Sequence, residues 1–144
     1  MGYYFDTSVW PAYLKGREEF YYPEAVKWFK KIEKEKNLYT SMLVEKEIAA
    51  KYKRLLKKFK KFRDSLIKQG ICKLVNIKKS DVSEAKNIMQ SSFYKDLRTE
   101  EAFADVLHVV IIKKNKLDAV TADFRHWPYL CRMQGVYWHR ITDV

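Results

Sequence analysis

Four carboxylates in this sequence lie where a fold could bring acids together for metal-dependent chemistry. Asp123 follows LDAVT, a short apolar segment of strand type, and Asp105 lies in the helical segment that leads into it. Asp6 follows the N-terminal strand-type segment YYF, and Glu47 lies in the helical segment after LYTSML. Open α/β sheets bind their ligands at the carboxyl ends of their strands. We therefore expect the four acids to meet at one edge of such a sheet.

Converging carboxylates repel and raise one another's pKa unless a cation lies among them. Carboxylate oxygens suit Mg²⁺ or Mn²⁺, which keep several waters and take further ligands from substrate phosphate. One or two such ions can activate water and stabilise the leaving oxygen of an in-line phosphoryl displacement. The sequence therefore predicts a Mg²⁺ or Mn²⁺ centre that acts on phosphodiester bonds. It does not decide between one bound ion and two.

The charge of the chain points to a polyanionic partner. Its 29 Lys and Arg residues against 18 Asp and Glu residues give a formal net charge of +11. This favours nucleic acid first and an anionic membrane surface second. The alternative is an adaptation to solubility or heat, since lysine-rich surfaces are common in thermophiles. A basic surface can hold a strand while an acidic, metal-binding centre cuts it, which is the combination that a nuclease needs.

A periodic segment from residue 44 to about residue 68 carries part of this charge. Its apolar residues predict one helix, or two helices joined near Lys57, packed in the core or at a subunit interface. Cations follow Glu47 at spacings of four, three, four and three. They are Lys51, Arg54, Lys58 and Lys61. This basic track could follow a phosphate backbone, and the alternative is a solvated basic face.

Alternating strand and helix segments predict an α/β protein. We expect a three-layer α/β/α fold with a mostly parallel central sheet of about five strands. The 144 residues suit one domain, and 47% hydrophobic residues argue against disorder. No apolar run approaches a membrane span, and no signal-peptide pattern opens the chain, so we expect a soluble, cytoplasmic protein. Cys72 and Cys131 are too few for a disulfide framework and lack metal-ligand spacing.

Several residues near the acids suit supporting roles. Thr7, Ser8 and Thr121 can hydrogen-bond the acids or fix the turns, and one of the first two can cap the short helix after Asp6. His108 lies one helical turn after Asp105. It could bind metal or act as a base, but hard-metal nucleases rarely need a histidine, so we interpret it as a supporting or packing residue.

Two further features allow more than one interpretation. Glu101 shares the helix face of Asp105 and could hold a metal-bound water or only favour the start of its helix. The tryptophans are interpreted as core residues rather than base-stacking platforms. His126 and Trp127, shortly after Asp123, are the best-placed exceptions. The sequence FRHWPYL that contains them predicts a turn and a short helix interrupted at Pro128.

Three motifs give the chain a family resemblance: FDTSVW near the N-terminus, SMLVEKEI, and DVLHVVIIKKNKLDAVTAD near the C-terminus. The sequence resembles the PIN-domain ribonucleases over nearly its whole length, and within them the VapC-like toxins of VapBC toxin–antitoxin pairs. The resemblance implies one PIN-like domain over residues 1–144 and a metal-dependent endoribonuclease. It also implies a VapB-like antitoxin and a homodimer. The acidic centre that it implies consists of Asp6, Glu47, Asp105 and Asp123.

Alternatives accompany this resemblance. Glu45 competes with Glu47, and we choose Glu47 because the family glutamate commonly follows the strand serine, here Ser41, by six residues and precedes an apolar residue. A non-enzymatic RNA-binding module on the same fold is the main alternative function. A structure-specific DNA nuclease is a weaker one, because those enzymes usually carry more acids and extra elements.

Overall fold

A five-stranded parallel sheet forms the centre of the protein. The structure, a computed structural model, describes residues 1–91 and 100–144, apart from the side chains of residues 100 and 101. In chain order the strands are β1 (Tyr3–Phe5), β2 (Leu38–Thr40), β3 (Cys72–Leu74), β4 (Asp118–Thr121) and β5 (Trp138–Arg140). The strand order is β3-β2-β1-β4-β5, and every pairing is parallel. The predicted α/β class and the sheet of about five strands are confirmed.

Helices surround this sheet and complete the α/β/α layers. They are α1 (Val9–Leu14), α2 (Tyr22–Glu35), α3 (Met42–Lys51), α4 (Leu56–Lys68), α5 (Lys79–Met89), α6 (Glu100–Lys114) and α7 (Trp127–Gln134), with short 3-10 turns at Lys53–Leu55 and Ile141–Asp143. Within the described residues, none of the helices combines the length and apolar character that a membrane span requires.

The strand order reverses at β1. The chain leaves β1 towards β2 on one side, and β4 pairs with the other side of β1. Such a reversal opens a crevice at the carboxyl ends of the two strands around it, and open α/β sheets bind ligands there. Asp6 directly follows β1, and Asp123 lies two residues after β4. The topology therefore places these two acids at the crevice.

The second strand is shorter than LYTSML predicts. It ends at Thr40, and Ser41 is the N-cap of α3, where its Oγ accepts a hydrogen bond from the Leu43 amide at 3.3 Å. Serine suits this position because its hydroxyl satisfies an amide that lacks a partner in the first helical turn. Glu47 consequently lies near the middle of a helix that starts at the carboxyl edge of the sheet.

The long periodic segment forms two helices, which was one of the two predicted arrangements. The joint lies at Tyr52, whose φ of −132° and ψ of 47° end α3, rather than near Lys57. The apolar stripe packs into the core of the chain, with Ile48 and Phe59 fully buried. Phe59 and Phe62 contact the Trp10 ring edge-on, at centroid separations of 5.1 and 6.1 Å.

The helix after Asp123 is not interrupted at Pro128, so that prediction is wrong. Pro128 lies in the first turn of α7. Proline is tolerated there because the amide that it lacks would have no partner within the helix. The helix therefore begins with Trp127, which is only 1% exposed.

Candidate active site

A polar pocket of about 500 Å³ lies at the carboxyl edge of the sheet. The structure brings all four predicted acids to this one pocket. Its lining consists of Asp6, Thr7, Ser8, Glu47, Lys51, Tyr52, Ala102, Asp105, Ala122, Asp123, Phe124, Arg125, His126 and Trp127.

Asp6 is held by the sheet and by two hydroxyl groups. Its amide donates to the Val120 carbonyl at 2.9 Å, which extends the pairing of β1 with β4. Its Oδ2 accepts hydrogen bonds from Ser8 Oγ at 2.7 Å and from Thr121 Oγ1 at 2.9 Å. Ser8 occupies the N-cap of α1 but makes no side-chain capping bond, so its hydroxyl serves the acid instead.

Burial raises the pKa of Asp6 to about 6. The nearby Glu47 charge adds to this rise, while His108 and the hydrogen bond from Ser8 act to lower the pKa. The residue is only 4% exposed, so water stabilises its charge little. A cation in the pocket would favour the ionised form.

Glu47 reaches the pocket from α3, whereas Glu45 does not line it. Glu47 Oε1 accepts a hydrogen bond from Thr7 Oγ1 at 2.7 Å and contacts His108 Nε2. Burial acts to raise the pKa of Glu47, but the hydrogen bond and charge of His108 outweigh it and lower the pKa. Glu45 instead accepts a hydrogen bond from Arg63 Nη1 at 2.7 Å. The two competing glutamates therefore have different partners.

His108 joins Glu47 to a buried chain of hydrogen bonds. Its Nδ1 lies 2.7 Å from the Tyr4 hydroxyl, which lies 2.7 Å from Ser41 Oγ. His108 is fully buried. Burial acts to lower its pKa, but the contact with Glu47 outweighs burial and raises the pKa. The imidazole therefore holds the Glu47 carboxylate from behind the pocket.

Asp105 reaches the pocket from α6 and is held by a tryptophan. Its Oδ1 accepts a hydrogen bond from Trp127 Nε1 at 3.2 Å. Burial, followed by the charge of Asp6, raises the pKa of Asp105 to about 7. Trp127 is almost completely buried, so it supports an acid rather than offering a surface for base stacking. The side chain of Glu101, predicted to support this site, lies outside the described residues.

Asp123 is fixed by the turn that it begins. Its amide donates to Thr121 Oγ1, and its Oδ1 accepts from the Arg125 amide, both at 2.9 Å. The Ala122 amide donates to Ser8 Oγ at 3.1 Å, which ties this turn to the one after β1. The threonine and the serine thus link the two turns that carry Asp6 and Asp123.

The predicted basic track does not form one continuous helix face. Lys51 ends α3 and lines the pocket, with its Nζ 4.0 Å from Glu47 Oε2. Arg54 lies in the 3-10 turn beyond the joint at Tyr52. Lys58 and Lys61 lie on α4, where Lys58 Nζ donates to the Leu14 carbonyl at 2.7 Å. Lys51 is therefore the member of the track that lines the acidic pocket.

The donors around the pocket fit a hard divalent cation. The acids offer only oxygen ligands, and two of them carry raised pKa values that a cation would relieve. As placed, the described residues form no cluster of three or more His, Cys, Asp or Glu side chains that could hold a metal ion. Mg²⁺ and Mn²⁺ need few protein ligands, because water and phosphate oxygens supply the remainder. Asp6, Glu47, Asp105 and Asp123 are the candidate ligands.

Comparison with known proteins identifies the family. A model of the PIN domain matches residues 3–130. The chain belongs to the PIN-domain family. PIN domains are generally metal-dependent nucleases. No curated protein matches the chain. The chain is also similar in fold to a solved structure of FitAB bound to an IR36 DNA fragment, with a TM-score of 0.64 and 16% sequence identity over 99% of this chain and 96% of the other.

Sequence reasoning missed three residues that line the pocket or hold its side chains: Tyr4, Ser41 and Phe124. Tyr4 had a usable signal, because it lies two residues before Asp6 and alternate residues of a strand share one face. Ser41 was placed inside a strand, which hid its position at the start of α3. Phe124 directly follows Asp123, but its exposure depends on a turn that the sequence does not specify.

Proposed function

We propose that this PIN domain is a Mg²⁺- or Mn²⁺-dependent endoribonuclease that hydrolyses RNA phosphodiester bonds. Its catalytic and metal-binding residues are Asp6, Glu47, Asp105 and Asp123. The observation that carries the proposal is the convergence of these carboxylates on one pocket at the switch point of the sheet. Acids whose pKa values are raised by burial and by neighbouring like charges are common at functional sites, because the chemistry there needs such groups close together.

The residues around the pocket have distinct roles in this proposal. The four acids would hold the cation through their oxygen atoms. His108 and Thr7 hold Glu47 in one orientation, and Ser8 with Thr121 hold Asp6. A cation held by these acids would supply activation of the attacking water and stabilisation of the leaving oxygen. The supporting residues are Thr7, Ser8, His108 and Thr121, together with Glu101, which is included because of its position on the helix of Asp105.

RNA as the substrate is supported by charge. The net charge of +11 favours a polyanion, and Lys51 lines the acidic pocket itself. Contacts with RNA phosphates are proposed for the basic track, which consists of Lys51, Arg54, Lys58 and Lys61. Lys58 would have to release the Leu14 carbonyl to make such a contact.

The biological role that we propose is that of a toxin in a toxin–antitoxin pair. It is supported by the resemblance of FDTSVW, SMLVEKEI and DVLHVVIIKKNKLDAVTAD to the VapC-like toxins. The structural likeness to FitAB shows the shared fold and does not identify a partner. The proposal includes a single PIN-like domain over residues 1–144, a VapB-like antitoxin, a homodimer and a cytoplasmic location.

The decisive experiment compares the parent with Asp123→Asn and with Asp118→Asn as a control. Asp118 opens β4, the strand that Asp123 follows. With Mn²⁺ and a mixed RNA pool, we expect the parent and the control to cut. Asp123→Asn should melt like the parent without metal, keep its RNA affinity and lose cleavage by orders of magnitude, since it loses a charge that positions the metal.

Other outcomes separate the alternatives. If Asp123→Asn cuts as fast as the parent, Asp123 does not belong to the centre. If the parent binds several RNAs but cuts none of them with either metal, the non-enzymatic RNA-binding module replaces the nuclease.

A further inference from the structure

Three aromatic rings form a row on the surface beside the acidic pocket. Phe124 lines the pocket, and its ring centroid lies 5.8 Å from that of Tyr21. Tyr21 in turn contacts Phe20, with 4.9 Å between centroids. Phe20 is 84% exposed and Phe124 is 38% exposed. Tyr21 is partly buried and packs against the core, so it connects the two exposed rings. Isolated exposed aromatics are ordinary, but exposed rings connected in this way beside a polar pocket indicate a binding surface. We call Phe20, Tyr21 and Phe124 the aromatic row.

Guanidinium groups flank the pocket end of the aromatic row. The Arg140 guanidinium lies 5.7 Å from the centroid of Phe124 and 5.5 Å from that of Trp138. The side chain of Arg125 is 90% exposed, and its Nε lies 4.0 Å from Asp123 Oδ1. Aromatic faces with cations beside them are the elements that bind single-stranded nucleic acid, because the rings stack on bases and the cations contact phosphates.

The turn that holds Asp123 also holds the first ring of the row. Phe124 lies between Asp123, whose Oδ1 accepts a hydrogen bond, and Arg125, whose amide donates it. At the other end, Phe20 follows a turn in which the Glu19 amide donates to the Gly16 carbonyl at 3.0 Å. The backbone of Phe124 is therefore held beside a carboxylate of the pocket, and ring contacts connect it through Tyr21 to Phe20. Binding on these rings would set where the strand enters the pocket.

We propose that the aromatic row stacks on unpaired bases of an RNA strand whose neighbouring phosphate occupies the acidic pocket. The proposal rests on the proposed function and adds the surface that would hold the bases beside the cleaved bond. A paired base inside a duplex cannot offer its face to these rings, whereas an unpaired base can. A protein partner is the competing occupant of the row. The guanidinium groups and the net charge of +11 favour the polyanion.

The test uses Phe20→Leu and Phe124→Leu, which keep an apolar side chain and remove the aromatic face. Tyr137→Leu is the matched control, because Tyr137 is another exposed aromatic residue, 69% accessible, and lies directly before the edge strand β5 rather than in the row. Fluorescence anisotropy with Ca²⁺ in place of Mn²⁺ measures affinity for a labelled, unstructured RNA of about twelve nucleotides, a length within the site sizes of single-strand-binding proteins. A cation is present because metal-free carboxylates would repel the phosphate that the pocket is proposed to hold. The same strand with one base removed, at each position in turn, and its duplex are the comparison ligands.

The proposal predicts base-dependent losses of affinity. Each row variant should bind the intact single strand about fivefold or more weaker than the parent, the effect of losing one base–aromatic stack. For the strand lacking the stacked base, the parent and the variant should bind alike, because the interaction is then already absent. Tyr137→Leu should match the parent on every strand, and the duplex should bind the parent more weakly. Thermal melting checks that all variants fold.

The proposal is overturned if the row variants bind the intact strand like the parent, as expected for a row that serves a protein partner. Equal losses on intact and base-deleted strands would also overturn it, as would a parent that prefers the duplex or binds no RNA. Cleavage is measured separately with Mn²⁺. A parent that binds with base dependence but never cuts refutes the proposed nuclease and leaves the row assigned. If the parent cuts RNA but the row variants bind it with unchanged affinity, only the proposed role of the aromatic row is refuted.

Discussion

Within the residues that the structure describes, two carboxylate–imidazole pairs occur, and their surroundings differ. Glu47 contacts His108 Nε2 inside the acidic pocket region, and the other His108 nitrogen meets the Tyr4 hydroxyl. Asp118 Oδ2 lies 3.1 Å from His139 Nε2 near the amino end of β4. His139 packs among the rings of Tyr3, Trp28 and Tyr137.

The difference lies in the neighbouring charges. His108 is fully buried, and the charges of Asp6 and Asp105 act on it as well as its partner Glu47. The side chain of His139 is 24% exposed and has aromatic rings around it. A carboxylate–histidine pair is common in proteins, so the pair alone does not indicate function. The further acids around the first pair suit the proposed chemical role, whereas the aromatic surroundings of the second suit a structural one.

The largest expected effect concerns metal binding. Replacing both Asp6 and Asp105 by Asn removes two oxygen-ligand charges, so calorimetric titration should show Mn²⁺ binding falling to an undetectable level. The comparison variant Asp118→Asn should bind Mn²⁺ like the parent. Equal Mn²⁺ binding by the parent and the double variant would place the metal outside the acidic pocket. The surroundings of Glu47 and His108 would then no longer indicate a metal site.

The next effect is a pH dependence of stability. Burial raises the pKa of Asp6 to about 6 and of Asp105 to about 7, against an ordinary value of 3.8. The native state therefore binds more protons than the unfolded state between about pH 4 and 7, so the metal-free protein should lose stability as the pH rises through this window. The raised pKa of His108 acts in the same direction, because its contribution is lost as the imidazolium deprotonates.

A bound cation should reverse this loss. Mn²⁺ needs ionised carboxylates, so it should raise the melting temperature more at pH 8 than at pH 5. Asp118→Asn should show the same difference between the two pH values. A shift in melting temperature that is equal at both pH values would contradict the assignment of the buried acids as ligands.

A smaller effect is expected when the buried hydrogen-bond chain is broken. Tyr4→Phe leaves His108 Nδ1 and Ser41 Oγ without the hydroxyl that joins them, which should cost about 1–3 kcal/mol of unfolding free energy. His139→Gln replaces the imidazole of a partly exposed pair by an amide that can still donate to Asp118, so it should cost about 1 kcal/mol or less. Chemical denaturation measures both. A Tyr4→Phe variant as stable as the parent would show that the chain does not hold His108.

Strand direction explains why part of the site could be predicted from sequence. Asp6 and Asp123 each follow a strand, and parallel strands bring their carboxyl ends to one edge, so their proximity follows from the order of elements. The choice between Glu45 and Glu47 could not be made this way. It depends on Arg63, which binds Glu45 from eighteen residues further along the chain.

Tertiary packing decides the residues that sequence patterns misjudged. Trp127 is near Asp123 in the sequence and could have been a stacking surface, but α7 begins at this residue and buries the ring against Asp105. The basic track required one helix through residue 52, and Tyr52 ends that helix. Neither a helix start nor a helix break of this kind is specified by local periodicity.

The smallest expected effect separates the two regions by their surface cations. The double variant Arg54→Glu, Lys61→Glu reverses the charge of two members of the basic track. The control Lys31→Glu reverses one cation near the Asp118–His139 pair, where Lys31 Nζ lies 5.4 Å from the centroid of the Tyr3 ring. If the track binds RNA phosphates, the double variant should bind RNA more weakly. Its slope of log affinity against log salt should become shallower by about one unit for each phosphate that the variant no longer neutralises.

Lys31→Glu should leave that slope at the parental value, because Lys31 belongs neither to the basic track nor to the lining of the acidic pocket. Anisotropy titrations over a range of salt concentrations measure all three slopes. Parental slopes in the double variant would identify the track as a solvated basic face, and equal flattening in both variants would mean that RNA senses only the net charge of the protein.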